Sequence, residues 1–333
     1  MPISDANAVD FGFLVVYAED MYVPNQTQPH DEPRIAAAGW DVVGHLLARD
    51  SVLPDPSTLA AGLSPKVQLG PTVFYGYLAR SQKDQGVYVV AIRGTNGFAE
   101  WVIDAEFVPV PTPSAPGAKA EQGFWGIYDS MTLVGLTGIQ VGAKAADGIA
   151  QVVGAGVVTV CGHSLGSALA TYLSYDVAKL LGARASACLF ASPRTGDQAW
   201  ATAYATTVAD YRLTNYVLGV VPYVPFDAPP IQYSTLPGAT VLLPSTAQAD
   251  IRFDLSCDHN LICYCAMIDY VDTKKRFDAE DAAAWQCIIG PPAFSLNSRL
   301  TKALEPAVIA LSGAEEDIVR LIETAARAKG GHV

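Results

Sequence analysis

The chain has 333 residues, half of them hydrophobic and 16% charged, with a formal net charge of -12 and a sequence pI of about 4.7. That composition buries a large core and excludes a disordered chain. The acidic balance, with no Lys/Arg-rich run, excludes nucleic acid and anionic membrane as partners held by charge.

The N-terminal MPISDANAVDFGFLVVYAED has no basic region, and its apolar run is short and flanked by acids. Neither a signal peptide nor a transmembrane span is expected, which leaves a cytoplasmic protein or a trimmed secreted one. Residues 5–20 and 33–49 are predicted helical. GVYVVAIRGT (86–95) reads as a strand ending in a turn, and the Pro-rich piece 108–120 as a loop. A helix is predicted over 131–153, with glycines inside it. A strand at 156–162, a helix at 165–182 and strands at 185–192 and 209–217 follow. Strands alternating with helices imply an α/β layer fold with a largely parallel central sheet flanked by helices. Ligands in such folds sit at the carboxyl ends of strands, where Thr95 and Ser164 both fall. The tail from about 273 is expected to be helical and to pack on the sheet or form an interface. No repeat or low-complexity linker divides the chain. It reads as one domain over 1–333, with a core at about 70–270 and a helical extension at about 271–333.

Of six cysteines, Cys161 and Cys188 fall in predicted core strands, where a thiol acts as a small hydrophobe. Cys257, Cys263 and Cys265 lie near His259, but no C-x-x-C pair supports a zinc site. A disulfide scaffold is not expected in so long a chain, and no metal or cofactor is called for.

The stretch TVCGHSLGSALATYL (159–173) carries the first chemistry. Apolar β-formers run into Gly162-His163-Ser164-Leu165-Gly166, and Leu165, Ala168, Leu169, Tyr172 and Leu173 then recur at helical spacing. A serine between two glycines where strand becomes helix fits a nucleophile elbow. The glycines let strand and helix approach, the turn lifts the hydroxyl above the sheet, and the Leu165 amide faces the oxygen of an attacked carbonyl. The alternative is an ordinary βα turn with a helix-capping serine.

Further blocks surround the elbow: Ile92-Arg93-Gly94-Thr95 followed by Trp101 and Asp104, Gln122-Gly123-Phe124, and Ser192-Pro193-Arg194-Thr195-Gly196-Asp197. With the elbow they resemble, in order, the F-R-G-[ST]…W…D, H-x-G-F, G-H-S-L-G and G-[SA]-P-R-x-G-[DN] blocks of the class 3 lipases, the family of fungal triacylglycerol lipases and bacterial relatives. R-L-T-N…V-V-P-Y-V-P (212–225) and the run Asp258 to Tyr264 resemble two later blocks. The resemblance covers roughly residues 70–270. It implies an α/β-hydrolase fold with a short lid, and a triacylglycerol lipase or short/medium-chain esterase. The substrate is then an ester or lipid met at a lipid–water interface.

The roles implied have physical reasons. Ser164 attacks the ester carbonyl, and a hydroxyl is a weak nucleophile until a base takes its proton. Of the five histidines, His30 and His45 precede the core, His332 is in the tail, and His163 is held inside the elbow and expected to point elsewhere. His259 remains, in the chain order of α/β-hydrolases. Thr95, at the family's F-R-G-[ST] position, supplies the second oxyanion donor beside Leu165. Phe98, Trp101, Val102 and Ile103 give residues 97–107 an apolar face. It either covers the serine as a lid that opens at a lipid surface or packs as a fixed helix.

The third triad member breaks the pattern. Gly219 stands where the family's D-x-V-P-x-x-P has its aspartate. Between 164 and 259 the carboxylates are aspartates 176, 197, 210, 227, 250, 254 and 258. Asp176 lies ~18 Å along the helix from the elbow, Asp210 begins a strand at the far end, and Asp258 needs a cramped geometry beside His259. Asp227, which ends the loop VVPYVPFD, ranks first; Asp197 ranks second and a Ser-His dyad third. A different reading is a non-catalytic or weakly active lipid- or partner-binding relative that has lost its acid.

Overall fold

The computed structural model describes residues 3–52, 68–95, 107–225, 232–277, 282–292 and 296–310. Helix α1 (Asp5–Asp20) starts where the Ser4 hydroxyl accepts from the Asn7 amide. Phe13, Leu14, Val15 and Val16 are buried in succession, so the helix is enclosed rather than laid on the surface. Helix α2 (Pro33–Ala37) is short. The helix expected over 33–49 gives way to strand β1 (Trp40–Val52). Gly44, Leu46 and Ala48 are buried while His45 and Leu47 are less so, which is a period of two. Two of those three buried side chains are too small to register as an apolar pattern. Pairing with β2 (Gln68–Ser81), a strand the sequence did not announce, decides the conformation.

Strand β3 (Val87–Ile92) follows, then a short ribbon of β4 (Pro109–Pro111) and β5 (Lys119–Glu121), and helix α3 (Gln122–Asp129). The helix expected over 131–153 is a hairpin, β6 (Thr132–Gly135) and β7 (Gln140–Val141), leading into α4 (Ala145–Val153). Gly138 at φ 81° and Gly142 at φ 74° take left-handed backbone that would break a helix. Then come β8 (Val157–His163), α5 (Leu165–Leu181), β9 (Ala185–Phe190) and β10 (Tyr211–Tyr216), as predicted, with α6 (Gln198–Thr207) and β11 (Thr240–Leu242) in addition.

The central sheet runs β11-β10-β9-β8-β3-β2-β1-β6-β7. From β3 through β8, β9 and β10 to β11 the pairing is parallel, and β2, β1, β6 and β7 extend it antiparallel. With helices covering it, this is an α/β-hydrolase fold. Register sets Ile92 opposite Gly162 and His163 opposite Phe190, so the ends of β3 and β8 lie side by side.

The C-terminal part is mixed. Strand β12 (Asp250–Ile251), α7 (Leu255–Asp258), α8 (Leu261–Ile268), α9 (Tyr270–Arg276), α10 (Ala282–Trp285), β13 (Ile288–Gly290) and α11 (Leu296–Ala310) follow in turn. β12 pairs with β13, and a disulfide joins Cys257 to Cys287. Cys161, Cys188, Cys263 and Cys265 are buried and take no part in that bond. The described core is one apolar cluster reaching from Ala8 to Val308. No helix among the described residues is long and apolar enough to cross a membrane.

Candidate active site

Ser164 lies between β8 and α5 with φ 58° and ψ -126°. That backbone is strained for any residue with a Cβ, and it persists only where the surroundings force it. Here both glycines do so. A Cβ on Gly162 would sit 2.8 Å from the Ser167 nitrogen, and one on Gly166 would sit 2.5 Å from the Arg93 carbonyl oxygen. Strand, helix and the end of β3 therefore close on one another only because both positions lack a side chain. The Ser164 amide donates to Phe190 O, which pins the turn to β9.

His259 arrives between α7 and α8. Asp254 caps α7 through the Ser256 amide, and Asn260 caps α8 through the amides of Ile262 and Cys263. The Cys257–Cys287 bond, two residues before the histidine, ties this segment to the stretch leading into β13. Held this way, His259 Nε2 stands 2.7 Å from Ser164 Oγ. Burial, and then the neighbouring His163, push the His259 pKa well below its ordinary value. The ring is consequently a free base at neutral pH, ready to accept the serine proton.

The two residues expected on the oxyanion side stand at the start of α5 and just past the end of β3. Leu165 is the first residue of α5, and the first amides of a helix have no acceptor within it. Thr95 is exposed and follows Gly94 just past β3. The Arg93 guanidinium braces this end: Nε donates to Phe74 O and an Nη to Gly94 O, both at 2.8 Å. It also lies over the Tyr22 ring at 3.6 Å and the Tyr75 ring at 4.6 Å. Residues 96–106, with Trp101 and most of the expected lid, lie outside the described residues.

The acid position is informative. A Cβ on Gly219 would lie 3.3 Å from Tyr264 Oη and 3.4 Å from the carbonyl oxygen of Asp258, the residue before His259. The family's acid position is thus in the right neighbourhood, and this chain puts a hydrogen there. His259 Nδ1, which a triad acid would accept from, has no hydrogen-bond partner among the described residues.

The candidate replacements are largely committed elsewhere. Asp176 accepts from Ser114 and Tyr128. Asp197 caps α6 through the Trp200 amide at 2.9 Å, and lines an open cavity of about 380 Å³ with Gln198, Gln232 and Ser234. Asp254 is the α7 cap. Asp258 is 1% exposed; burial first, and then its charge, raise the pKa of Tyr216, Tyr264 and Cys263. Asp227 lies outside the described residues.

Two features escaped the sequence. His163 does not point away from the site: its ring lies against that of His259, centroids 4.7 Å apart. Its Nδ1 is 3.3 Å from an oxygen of Glu19, on α1. No local signal marks Glu19, which reaches the site only because α1 is buried against β3 and β8. Cys257, weighed as a zinc ligand, is bonded to Cys287 instead.

Parts of the chain are similar to known proteins. Residues 89–228 match the lipase (class 3) family. A lipase of Rhizomucor miehei is 32% identical over 152 residues, 44% of this chain and 40% of its own length. A secreted mono- and diacylglycerol lipase of Penicillium cyclopium is 30% identical over 173 residues, 48% of this chain and 54% of its own length. The matched stretches thus span about half the length of these curated relatives. One solved fungal lipase superposes with a TM-score of 0.52 at 22% identity, covering 75% of this chain and 83% of that one, which speaks for the fold. The segment 89–228, which includes Ser164 and its two glycines, is thus similar to the lipase (class 3) family.

Proposed function

We propose that this protein hydrolyses carboxylic esters of lipids, as a triacylglycerol lipase or a short- to medium-chain esterase. The observation that carries the reading is the 2.7 Å contact between Ser164 Oγ and His259 Nε2, at a serine held in positive-φ backbone between two obligatory glycines. His259 takes the Ser164 proton as the oxygen attacks the ester carbonyl. Negative charge then develops on the carbonyl oxygen, where the Leu165 and Thr95 amides, with the Thr95 hydroxyl, receive it. The imidazolium returns its proton to the departing alkoxide, and water repeats the sequence on the acyl-enzyme.

The carboxylate assigned to the third place is Asp227, which follows the family's acid position in the chain. Asp227→Asn is expected to cut kcat/KM by about 10,000-fold at neutral pH, as loss of the acid does in a related triad. The names of the relatives, one a lipase and one a mono- and diacylglycerol lipase, favour an acylglycerol substrate. The region beyond about 271 is assigned to the same domain, because Ile288 and Val308 join the core cluster.

The test is reaction with an organophosphonate and mapping of the adduct. Labelling at Ser164, and loss of ester hydrolysis in Ser164→Ala, are expected. Labelling elsewhere, or none, refutes the reading. It would favour the non-catalytic alternative, which the bare Gly219 supports.

A further inference from the structure

A catalytic histidine needs more than a partner at one nitrogen. Its plane must hold while it takes a proton and gives it back. Here one face of the His259 ring is covered by a second imidazole, His163, with centroids 4.7 Å apart and planes inclined at 36°. His163 is 6% exposed and sits in the elbow, directly before the nucleophile. Its Nδ1 meets Glu19 Oε1 at 3.3 Å, and the same oxygen accepts the Gly94 amide at 3.3 Å. Gly94 precedes Thr95. One carboxylate on α1 therefore gathers the oxyanion segment, the elbow and the ring lying on the base. The contact is close enough that a Cβ on Gly94 would lie 3.2 Å from Glu19 Oε1 and 3.5 Å from His163 Nδ1.

Two ring nitrogens in this stack, His163 Nε2 and His259 Nδ1, are buried without a hydrogen-bond partner among the described residues. A fold tuned for stability alone would replace such a pair with apolar rings, because each buried unpaired group costs free energy. Retention of two imidazoles face to face beside a nucleophile points to a use for them.

We infer that Glu19 and His163 form a positioning couple for His259. Glu19 holds the His163 proton on Nδ1. The ring then fixes the plane of His259 and receives part of the charge of the imidazolium on its π face. This rests on the Ser164–His259 reading above and adds ring-face support that the family acid, working at Nδ1, does not supply. The proton moves from Ser164 Oγ to His259 Nε2 and on to the leaving alkoxide, while His163 and Glu19 exchange none. Among the described residues, the other charged and titratable groups around the couple are Arg93 beyond β3, Asp20 and Tyr22 at the end of α1, and Asp258 and Tyr264 from α7 and α8. Tyr264 stands edge-on to His163 at 6.2 Å, and Asp20 is bonded to Arg34.

The experiment uses the full chain and a soluble short-chain ester, with Ser164→Ala as the reference for the underlying activity. Glu19→Gln is expected to lower kcat about tenfold, the size of a desolvated cation–π contact, with KM unchanged. The acid limb of kcat/KM should move to lower pH, because a negative charge has left the vicinity of the imidazolium. His163→Phe cuts the link to Glu19, and should lower kcat similarly and move the same limb to lower pH. His163→Asn keeps a donor for Glu19 without the ring and guards against misfolding of the Phe variant; it should lose the same kcat. The Glu19→Gln/His163→Phe double variant should be no slower than His163→Phe alone. Glu19→Gln with a lower Tm but wild-type kcat and acid limb overturns the couple. So do losses that multiply in the double variant. If Ser164→Ala keeps its activity, it is the Ser164 reading that fails instead.

Discussion

At the scale of the residue, the proposed reaction rests on one hydroxyl and one ring. His259→Ala is expected to lower kcat by several orders of magnitude with KM little changed, because the base acts only as the transition state forms. Steady-state kinetics on a variant with an intact circular dichroism spectrum checks this. Burial holds the His259 pKa well below 6.5, so the base stays free into mildly acidic solution. The acid limb of kcat/KM is therefore expected below pH 6.5, and a limb at or above that value would contradict the burial seen here. The same shift makes the native state bind fewer protons than the unfolded chain. Its contribution to stability is present above the unfolded pKa and shrinks as pH falls below about 6.5.

At the scale of the element, two contacts decide whether the site assembles. The first is the approach of α5 to β3. Gly166→Ala places a methyl group 2.5 Å from Arg93 O, against backbone that cannot turn aside. Loss of about 1–3 kcal/mol is expected, with phosphonate labelling of Ser164 reduced further than the drop in Tm explains. The second is the cross-link from α7 to the segment before β13, which closes 30 residues of chain. Replacing both Cys257 and Cys287 with serine should cost about 3–4 kcal/mol by loop entropy. It should also lower kcat, since His259 follows Cys257 by two residues. Thermal unfolding and kinetics with and without reductant test this. Unchanged kcat in the folded double variant would confine the bond to stability.

At the scale of the whole molecule, one buried carboxylate ties stability to pH. Glu121 stands where the family's H-x-G-F block has histidine, and it is 3% exposed. It accepts the Phe124 amide at 2.7 Å, yet burial outweighs its backbone bonds and raises its pKa from 4.5 to about 7. A raised carboxyl pKa means the native state holds a proton that the unfolded chain has released. Its stabilising effect is complete below pH 4.5, is lost as pH rises toward 7, and is level above that. The span corresponds to on the order of 3 kcal/mol. Glu121→Gln mimics the protonated form and should flatten the fall in Tm between pH 4.5 and 7, leaving the variant more stable than wild type at pH 8. A parallel pair of Tm profiles would show that Glu121 remains ionised in the fold.

The sharp turn at Ser164, the parallel strands and the pairing of His259 with Ser164 were legible in the sequence, because each is a local pattern or a position in chain order. Gly162-His163-Ser164-Leu165-Gly166 carries its geometry in its own glycines, and β8, α5 and β9 alternate with clear hydrophobic periods. Strand β1 was not legible, because Gly44 and Ala48 bury too little apolar surface to mark its period until β2 pairs with it. The hairpin at 132–141 likewise needed a partner strand to overrule a helical pattern. At the site, tertiary packing alone brought Glu19 to the elbow across 144 residues of chain, laid His163 on His259, and joined Cys257 to Cys287. Sequence determines what a segment prefers and which chemistry its residues can perform. Which distant side chains face one another depends on how the buried faces close, and that is a property of the packed sheet and helices together.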